Sequence, residues 1–529
     1  MQARASGKAA GRLRRRRRPP SGAAYINEKR RATWKQLIHG NREAAALGIG
    51  ERTVGEIKQQ LGKSPDFVCQ SAPLRDDDRV HCIYLASIVI CEQIDELILK
   101  PILEAYAAGR NEGFSKPAAP EALSSLVPIA NKTIAAGTAA AVKKLLDGQC
   151  VLVAEHAPGF LSCDVAKGDY RSITEPKTES SIRGPREGFV EDIEVNMALI
   201  RKRLKSPNLI FESFVIGSET ATNVCMAYMG NIANEGIVNE FRKRLDAIQT
   251  DSVLESAYIE EWIQDKTLSP FPQLISTERP DGIVAKLLEG HVAVLIDGTP
   301  MALAGPITFF QLFSSPEDYY QRADIATLLR WLRMFAFVLS IFVPSLYIAI
   351  VSYHQELLPT PLLISIAAQR EEVPFPAVVE ALIMFITFEI LREAGLRMPR
   401  IAGQAISVVG ALVVGQAAVE AGFVSASMVI VVSLTAISNY ISPTYSFGIA
   451  QRIVQFVFML MAGVMGLFGL MCGVFMLFIH LVSIRSFGAH YMAPLAPLML
   501  SDLKDTLVRV PRKLMTRLPQ ETKAKKNAR

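Results

Sequence analysis

The sequence predicts an α/β soluble region of two tandem duplicated mixed α/β subdomains, followed by an α-helical polytopic transmembrane domain. The first ground is a change of solvent near Met334. The chain before it mixes charged and apolar residues, whereas 334–481 is a nearly unbroken series of apolar runs long enough to cross a bilayer. The second ground is an internal repeat. Ser64-Pro65-Asp66-Phe67 returns as Ser206-Pro207-Asn208-Leu209, and Leu145-Leu146-Asp147-Gly148 returns as Leu287-Leu288-Glu289-Gly290, both displaced by 142 residues. An equal displacement at both ends argues for duplication of one module.

In chain order, 1–50 is expected to be a basic, disordered tail, with 51–170 the first α/β subdomain and 171–205 a linker and connecting helix. The second α/β subdomain follows at 206–325, the transmembrane helical domain at 330–482, and a basic cytoplasmic C-terminal tail at 483–529. The net charge of +6 conceals this arrangement, because both ends are basic and the body between them is acidic. Clustered arginine such as Arg14 to Arg18 can bind anionic membrane lipid at roughly 1 kcal/mol per well-placed side chain. A solvated tail is the plainer reading. No aromatic interleaving or recognition motif accompanies the run, so no nucleic-acid partner is expected.

The start of the chain is charged but lacks the apolar core of a signal peptide, which predicts that the first domain stays in the cytoplasm. Seven scattered cysteines form no CxxC pair, so reduced core residues are expected, with neither a disulfide framework nor a metal site. Each soluble repeat reads as an opening strand (66–69; 209–211) and a β-rich stretch (81–85; 224–228). An amphipathic helix (94–106; 237–245) and a strand pair around the second motif complete it. Between the repeats lies Arg183-Gly184-Pro185-Arg186-Glu187, a turn-forming hinge or an inter-subunit contact whose arginines could grip carboxylates. No Walker loop, GxGxxG, HExxH or GxSxG is present, which leaves no catalytic constellation and no cofactor signature.

In the apolar half, 334–353 is a first span containing Pro344, and 401–419 and 423–441 form a pair. The run 453–481 exceeds a hydrocarbon core of about 30 Å and is expected to tilt or protrude. The segment 376–391 is apolar yet carries Glu380 and Glu389, followed by Arg392 and Glu393. Carboxylates in lipid are costly and face a bundle interior or an aqueous path, so these four residues are the candidate pore or gate. An interfacial helix with Glu389 paired to Arg392 is the alternative. An even number of crossings satisfies termini on one side, but four spans would leave Arg392, Arg397 and Arg400 on the other, against the positive-inside tendency. A crossing by 376–391 would make the count five, and the segment around His354, Gln355, Glu356, Pro359 and Pro361 is the candidate re-entrant or gating element that would restore an even number.

The residues His354-Gln355-Glu356-Leu357-Leu358-Pro359-Thr360-Pro361, Phe388-Glu389-Ile390-Leu391-Arg392-Glu393 and Ser483-Ile484-Arg485-Ser486-Phe487-Gly488 resemble the A subunits of bacterial spore germinant receptors, the GerA family. In the soluble half, Arg183 to Phe189, Thr277-Glu278-Arg279-Pro280-Asp281, Asp297-Gly298-Thr299-Pro300 and Ser315-Pro316-Glu317-Asp318-Tyr319-Tyr320 are similar to the same family. The resemblance covers about 62–497. It implies a subunit of the inner spore membrane that works with a transporter-like B subunit and a lipoprotein C subunit. It further implies a homo-oligomeric ring conducting cations when germinant binds. The acidic helix would suit such a ring. A secondary transporter is an alternative, though it would carry inverted repeats of broken helices, and the duplication here lies in the soluble half. A non-conducting membrane scaffold is the other.

Overall fold

The computed structural model describes residues 49–75, 78–109, 119–167, 175–176, 179, 181, 183–397 and 415–525. The arginine run of the N-terminal tail, Arg400, most of the 401–419 span and part of the linker after Arg171 lie outside the described residues.

The first α/β unit opens with the Ile49–Leu61 helix, whose Val54, Ile57 and Leu61 recur at three- and four-residue spacing and are buried on one face. Its sheet comprises β1 (Phe67–Arg75), β2 (Asp78–Leu85), β3 (Lys132–Ala135), β4 (Gln149–Ala154) and β5 (Phe160–Asp164), all antiparallel, in the order β1-β2-β4-β5-β3. The second sheet comprises β6 (Leu209–Ile216), β7 (Thr222–Met229), β8 (Ile275–Thr277), β9 (Val292–Ile296) and β10 (Ala302–Gly305), in the matching order β6-β7-β9-β10-β8. The helices Thr138–Leu146 and Pro280–Leu288 begin 142 residues apart, as do β5 and β10. The repeat in sequence is therefore a repeat in structure. Central strand β9 is a continuous apolar run buried at every position, with bulk on both faces of the sheet.

The Ile193–Arg203 helix joins the two units. It packs on Pro280–Leu288 and β9 as Ile49–Leu61 packs on Thr138–Leu146 and β4, so it is the opening helix of the second copy. Its far side closes the first unit, with Ala198 in the first core while Leu199 and Ile200 enter the second. Asp192 caps the start by accepting from the amides of Glu194 and Val195. Near the other end Arg201 donates through Nε to Asp66 Oδ2 at 2.6 Å and through Nη2 to Oδ1 at 2.8 Å, and both side chains are buried. Ser87 Oγ also donates to Asp66 at 2.6 Å. In the second copy the equivalent position is the neutral Asn208. A carboxylate buried there without a guanidinium would be costly.

The apolar half is a helical bundle. Among the described residues, Ala323–Tyr353 and Tyr445–Ser483 are the two helices long and apolar enough to cross a membrane, and Ala426–Tyr440 is a shorter apolar helix. The 453–481 run neither tilts nor protrudes as one rod. Gly466 has φ 62° and ψ −140°, and beyond it the chain folds back, so that Gly469 lies against the Met461 carbonyl and Gly473 against the Phe458 ring. The 39-residue segment is thus a helical hairpin with arms 445–465 and 467–483. The Ala377–Arg397 helix runs antiparallel to the first arm, bringing Val378 beside Gly463, Phe385 beside Phe456 and Glu389 within 3.8 Å of Arg452.

After the hairpin the chain makes a tight two-strand turn, β11 (Arg485–Ser486) and β12 (Ala489–His490), and returns along the second α/β unit. Tyr491 donates to the Pro272 carbonyl at 2.7 Å, Thr522 Oγ1 to the Glu289 carbonyl at 3.0 Å, and the Lys525 amide to the Ile232 carbonyl at 2.8 Å. Leu518 joins the second core. The α/β units and the C-terminal segment therefore sit at the same end of the bundle.

Replacing Arg201 by Ala strands a buried carboxylate. We expect Arg201→Ala to cost about 3–5 kcal/mol, read as a lowered denaturation midpoint of the solubilised protein, and Asp66→Asn in the same chain to restore part of it.

Candidate functional site

The motifs singled out in the soluble half meet at one corner of the second α/β unit. Arg183 donates its amide to Glu317, Phe189 donates its amide to the Glu278 carbonyl at 2.8 Å, and Arg279 Nη2 reaches the Pro185 carbonyl at 3.3 Å. Gly184, at φ 144°, lies flat on the Tyr320 ring, where a Cβ would come within 2.8 Å. Arg279 pairs in a fork with Asp281, which also accepts the Tyr320 hydroxyl. Glu187 pairs with Arg203 at 2.6 Å, whereas Arg186 meets the exposed Glu175 at 3.8 Å, a contact of little energetic weight. Asp297 accepts the Ile193 amide at 3.2 Å, which ties the remaining motif to the opening helix.

From this corner a polar relay leads to the bundle. Asp318, wholly buried, accepts Arg330 Nε at 2.9 Å and Arg333 Nη1 at 2.9 Å, both from the first turns of Ala323–Tyr353. Arg330 also reaches Asp505 of the returning C-terminal segment, and the Tyr319 hydroxyl donates to the same carboxylate at 3.0 Å. Two carboxylates and two guanidiniums balance in charge. Beside them Phe309, Phe313, Phe337 and Phe447 form a cluster of edge-to-face and stacked rings, joining the α/β unit to two legs of the bundle. The Ser483 to Gly488 motif plugs the other leg into the same unit. Ser486 Oγ donates to the Gln273 carbonyl at 2.8 Å, and Phe487 stacks on Phe241 at 3.7 Å.

Within the bundle the four candidate gate residues divide. Glu380 is fully buried and accepts the amide and the hydroxyl of Ser425, each at 2.6 Å, with Arg370 at 3.8 Å. Ser425 is the N-cap of Ala426–Tyr440, so Glu380 closes that helix end. Glu389 lies about two and a half turns further towards the soluble units, paired with Arg392 and 3.8 Å from Arg452, with its side chain 26% exposed. Glu393 pairs with Arg397 at the surface. The structure thus brings Glu389 and Arg392 together and holds Glu380 apart from them.

His354, Gln355 and Glu356 form the turn after the first leg, and Pro359 and Pro361 open the Thr360–Arg370 helix, none of whose residues is buried. Eleven residues are too few to cross about 30 Å of hydrocarbon. The turn braces the hairpin tip, where Tyr353 donates to the Gly463 carbonyl at 2.6 Å and a Cβ on Gly466 would meet His354 and Tyr353 within about 3 Å.

Sequence reasoning missed two features. Ser340, Asn439, Gln451 and Gln455 form a hydrogen-bonded polar seam between apolar helices, signalled only by the four-residue spacing of the two glutamines. The second is a cavity of about 420 Å³ between the second α/β unit and the C-terminal segment, bordered by Lys286, Gln311, Asp502, Arg517 and Glu521. There Lys286 donates to Gln311 at 2.9 Å and Gln311 to Glu521 at 2.9 Å. Burial, with Asp502 and Glu289 nearby, pushes Glu521 up to about 8 against the opposing pull of Lys286. Among the described residues no group of three or more His, Cys, Asp or Glu is placed to hold a metal ion.

Because the folded-state value of Glu521 lies above its ordinary 4.5, its contribution to stability is complete below that value and is lost as pH rises through about 8. We expect amide exchange of 518–525, corrected for intrinsic rates, to quicken between about pH 4.5 and 8 in the parent, levelling off above that, and to stay level throughout in Glu521→Gln. Gly466→Ala forces an alanine to φ 62°, ψ −140°, a region kept almost wholly for glycine, at about 1–3 kcal/mol for the backbone alone, so a lowered melting temperature in detergent is expected.

The sequence matches the family model described as Bacillus/Clostridium GerA spore germination protein over residues 55–521. Spore germination protein KA of Bacillus subtilis (strain 168) is 43% identical over 469 residues, which cover 87% of this chain and 84% of that protein. The uncharacterized membrane protein YfkQ of the same strain is 45% identical over 439 residues, covering 83% and 84%. Among solved structures, the N-terminal domain of the A subunit of the Bacillus megaterium spore germinant receptor GerK3 matches 50% of this chain and 97% of its own, at 30% identity and a TM-score of 0.37. The matched family span takes in both α/β units, the bundle and most of the returning C-terminal segment, and with its two long apolar helices the chain belongs to the membrane-associated GerA family of spore germination proteins.

Proposed function

We propose that this chain is the A subunit of a spore germinant receptor, and that its bundle, ringed with further copies of itself, conducts cations when germinant binds a partner subunit. The partners are the transporter-like B subunit and the lipoprotein C subunit that the family resemblance implies. The observation that carries the reading is Glu389, a partly exposed carboxylate following the apolar run 381–388 of its helix, held by Arg392 and Arg452. Charge at that depth belongs to an aqueous path or a partner face, and a ring of such groups selects cations. Opening would release Glu389 from its arginines. Glu380 is the strut that keeps the neighbouring helix end closed while this happens.

Transmission would run through the Asp318 cluster. A shift of the α/β units moves Arg330 and Arg333, and with them the first leg. A ligand drives that change only through a difference in its interaction with the two states. The chain is further proposed to cross the membrane several times with both ends in the cytoplasm. The shared end of the α/β units and C-terminal segment supports this, as does the path of Ala377–Arg397, which returns Arg392 and Arg397 to that end in keeping with the positive-inside tendency.

The second reading is a scaffold without conduction, favoured by the internal pairing of both Glu380 and Glu389. Ion flux from liposomes holding the purified chain and its partners, with and without germinants, separates the two. We expect ligand-dependent cation flux that falls about tenfold in Glu389→Gln, equivalent to about 1.4 kcal/mol on the barrier, with the complex intact. No flux from a verified complex establishes the scaffold.

A further inference from the structure

The 264–270 loop of the second α/β unit presents the most exposed large apolar side chain among the described residues, Leu268, at 97% exposure. This loop is held firmly. The amides of Asp265 and Lys266 both donate to Oε1 of the buried Gln273 at 2.9 Å, and Gln273 Nε2 returns a bond to the Lys266 carbonyl at 2.7 Å. The Asp265 carboxylate takes Arg244 on one oxygen and the Phe487 amide on the other, each at 2.7 Å. So rigid a mount holds a leucine in water, where its side chain packs against almost nothing among the described residues.

Its position supplies a reason. Lys266 Nζ donates to Ser483 Oγ at 2.8 Å, and Ser269 Oγ is 2.9 Å from His480 Nε2. The loop is therefore fastened to the last turn of the hairpin's return arm. That arm carries an outward apolar face through Phe475, Ile479 and Val482, all exposed, and the face stops at Ser483. Leu268 stands where the apolar surface ends and the α/β unit begins. Trp262 is exposed on the helix before the loop, and Trp331 on the first leg. Aromatic side chains of this amphipathic kind settle at the headgroup level.

We infer that the 264–270 loop dips into the headgroup layer of the bilayer and buries Leu268 at the acyl boundary, so that the second α/β unit rests on the membrane. The exposed Thr267 sets a hydroxyl suited to headgroups beside the leucine, and a lone apolar tip on a rigid polar loop fits a lipid surface better than a protein groove. The contact adds a third support for the α/β unit beside the Asp318 cluster and the Phe487 plug. It also means that a tilt of this unit must lift or press the loop against lipid.

The test uses the full chain in liposomes, with Trp34, Trp262 and Trp331 replaced by Phe and Leu268→Trp as the sole indole. Because Leu268 is almost wholly exposed, the variant is expected to melt with its parent in detergent. Lipids brominated near the headgroup end of the acyl chain should quench its emission about twofold and leave the detergent sample unchanged. An unquenched indole overturns the inference, whether its emission is that of solvent or is shifted to the blue by a protein cover.

Discussion

The ion cluster around Asp318 is the constraint on which the arrangement of this protein depends. A buried carboxylate costs several kcal/mol in desolvation unless its partners are held in place. Here the partners come from different parts of the chain. Arg330 and Arg333 come from the first leg of the bundle, and Asp505 comes from the segment that returns after the last leg. None of these groups can leave without stranding another. The cluster consequently fixes how the α/β region meets the membrane half, and it does so with direction and distance, which the adjoining phenylalanines, being apolar, cannot impose alone.

The duplicated architecture makes sense of the other joints. Two copies of one sheet would be independent domains if each kept its own opening helix on its own surface. In this chain the opening helix of the second copy is covered on both sides, and Arg201 on that helix reaches back to Asp66 of the first. The repeat diverges at the place where that contact is made, Asp66 against Asn208. The linker motif, the Thr277 to Asp281 motif and the Ser315 to Tyr320 motif then meet on the second unit next to Asp318. Movement of either unit would reach the membrane through this polar corner, since the packed groups around it have little room to absorb a displacement.

In the bundle, glycine and amide chemistry do what charge does at the joint. The left-handed turn at Gly466 converts one overlong apolar run into two arms, and Tyr353 pins the tip. Glu380 serves a helix N-terminus, where a carboxylate meets unpaired amides and the positive end of the helix dipole. Glu389 serves two arginines. Identical residue types nine positions apart on one helix thus have separate duties, and the difference lies in what the neighbouring helices present to them.

The duplication was legible in the residues themselves, because the 142-residue displacement survives in motifs that lead into strands and end helices, and both sheets follow the same strand order. The solvent change near Met334 was equally legible, since hydropathy over long runs is a property of composition. Residues such as Asp318, Arg330, Ser340 and Gln451 carried no such signal, because their partners lie far off in sequence and a polar residue reveals its pairing only when the chain folds. The same holds for the 453–481 run. Its length announced that it could not be a single upright leg, but the backbone angle of one glycine and the space beside Tyr353 made it a hairpin. The sequence by itself determined the two repeats, the apolar half and the family. Which carboxylate is a strut, which remains at the bundle surface, and where the C-terminal segment returns were decided by tertiary structure, because burial and partnership are relations between distant residues and not properties of any one of them.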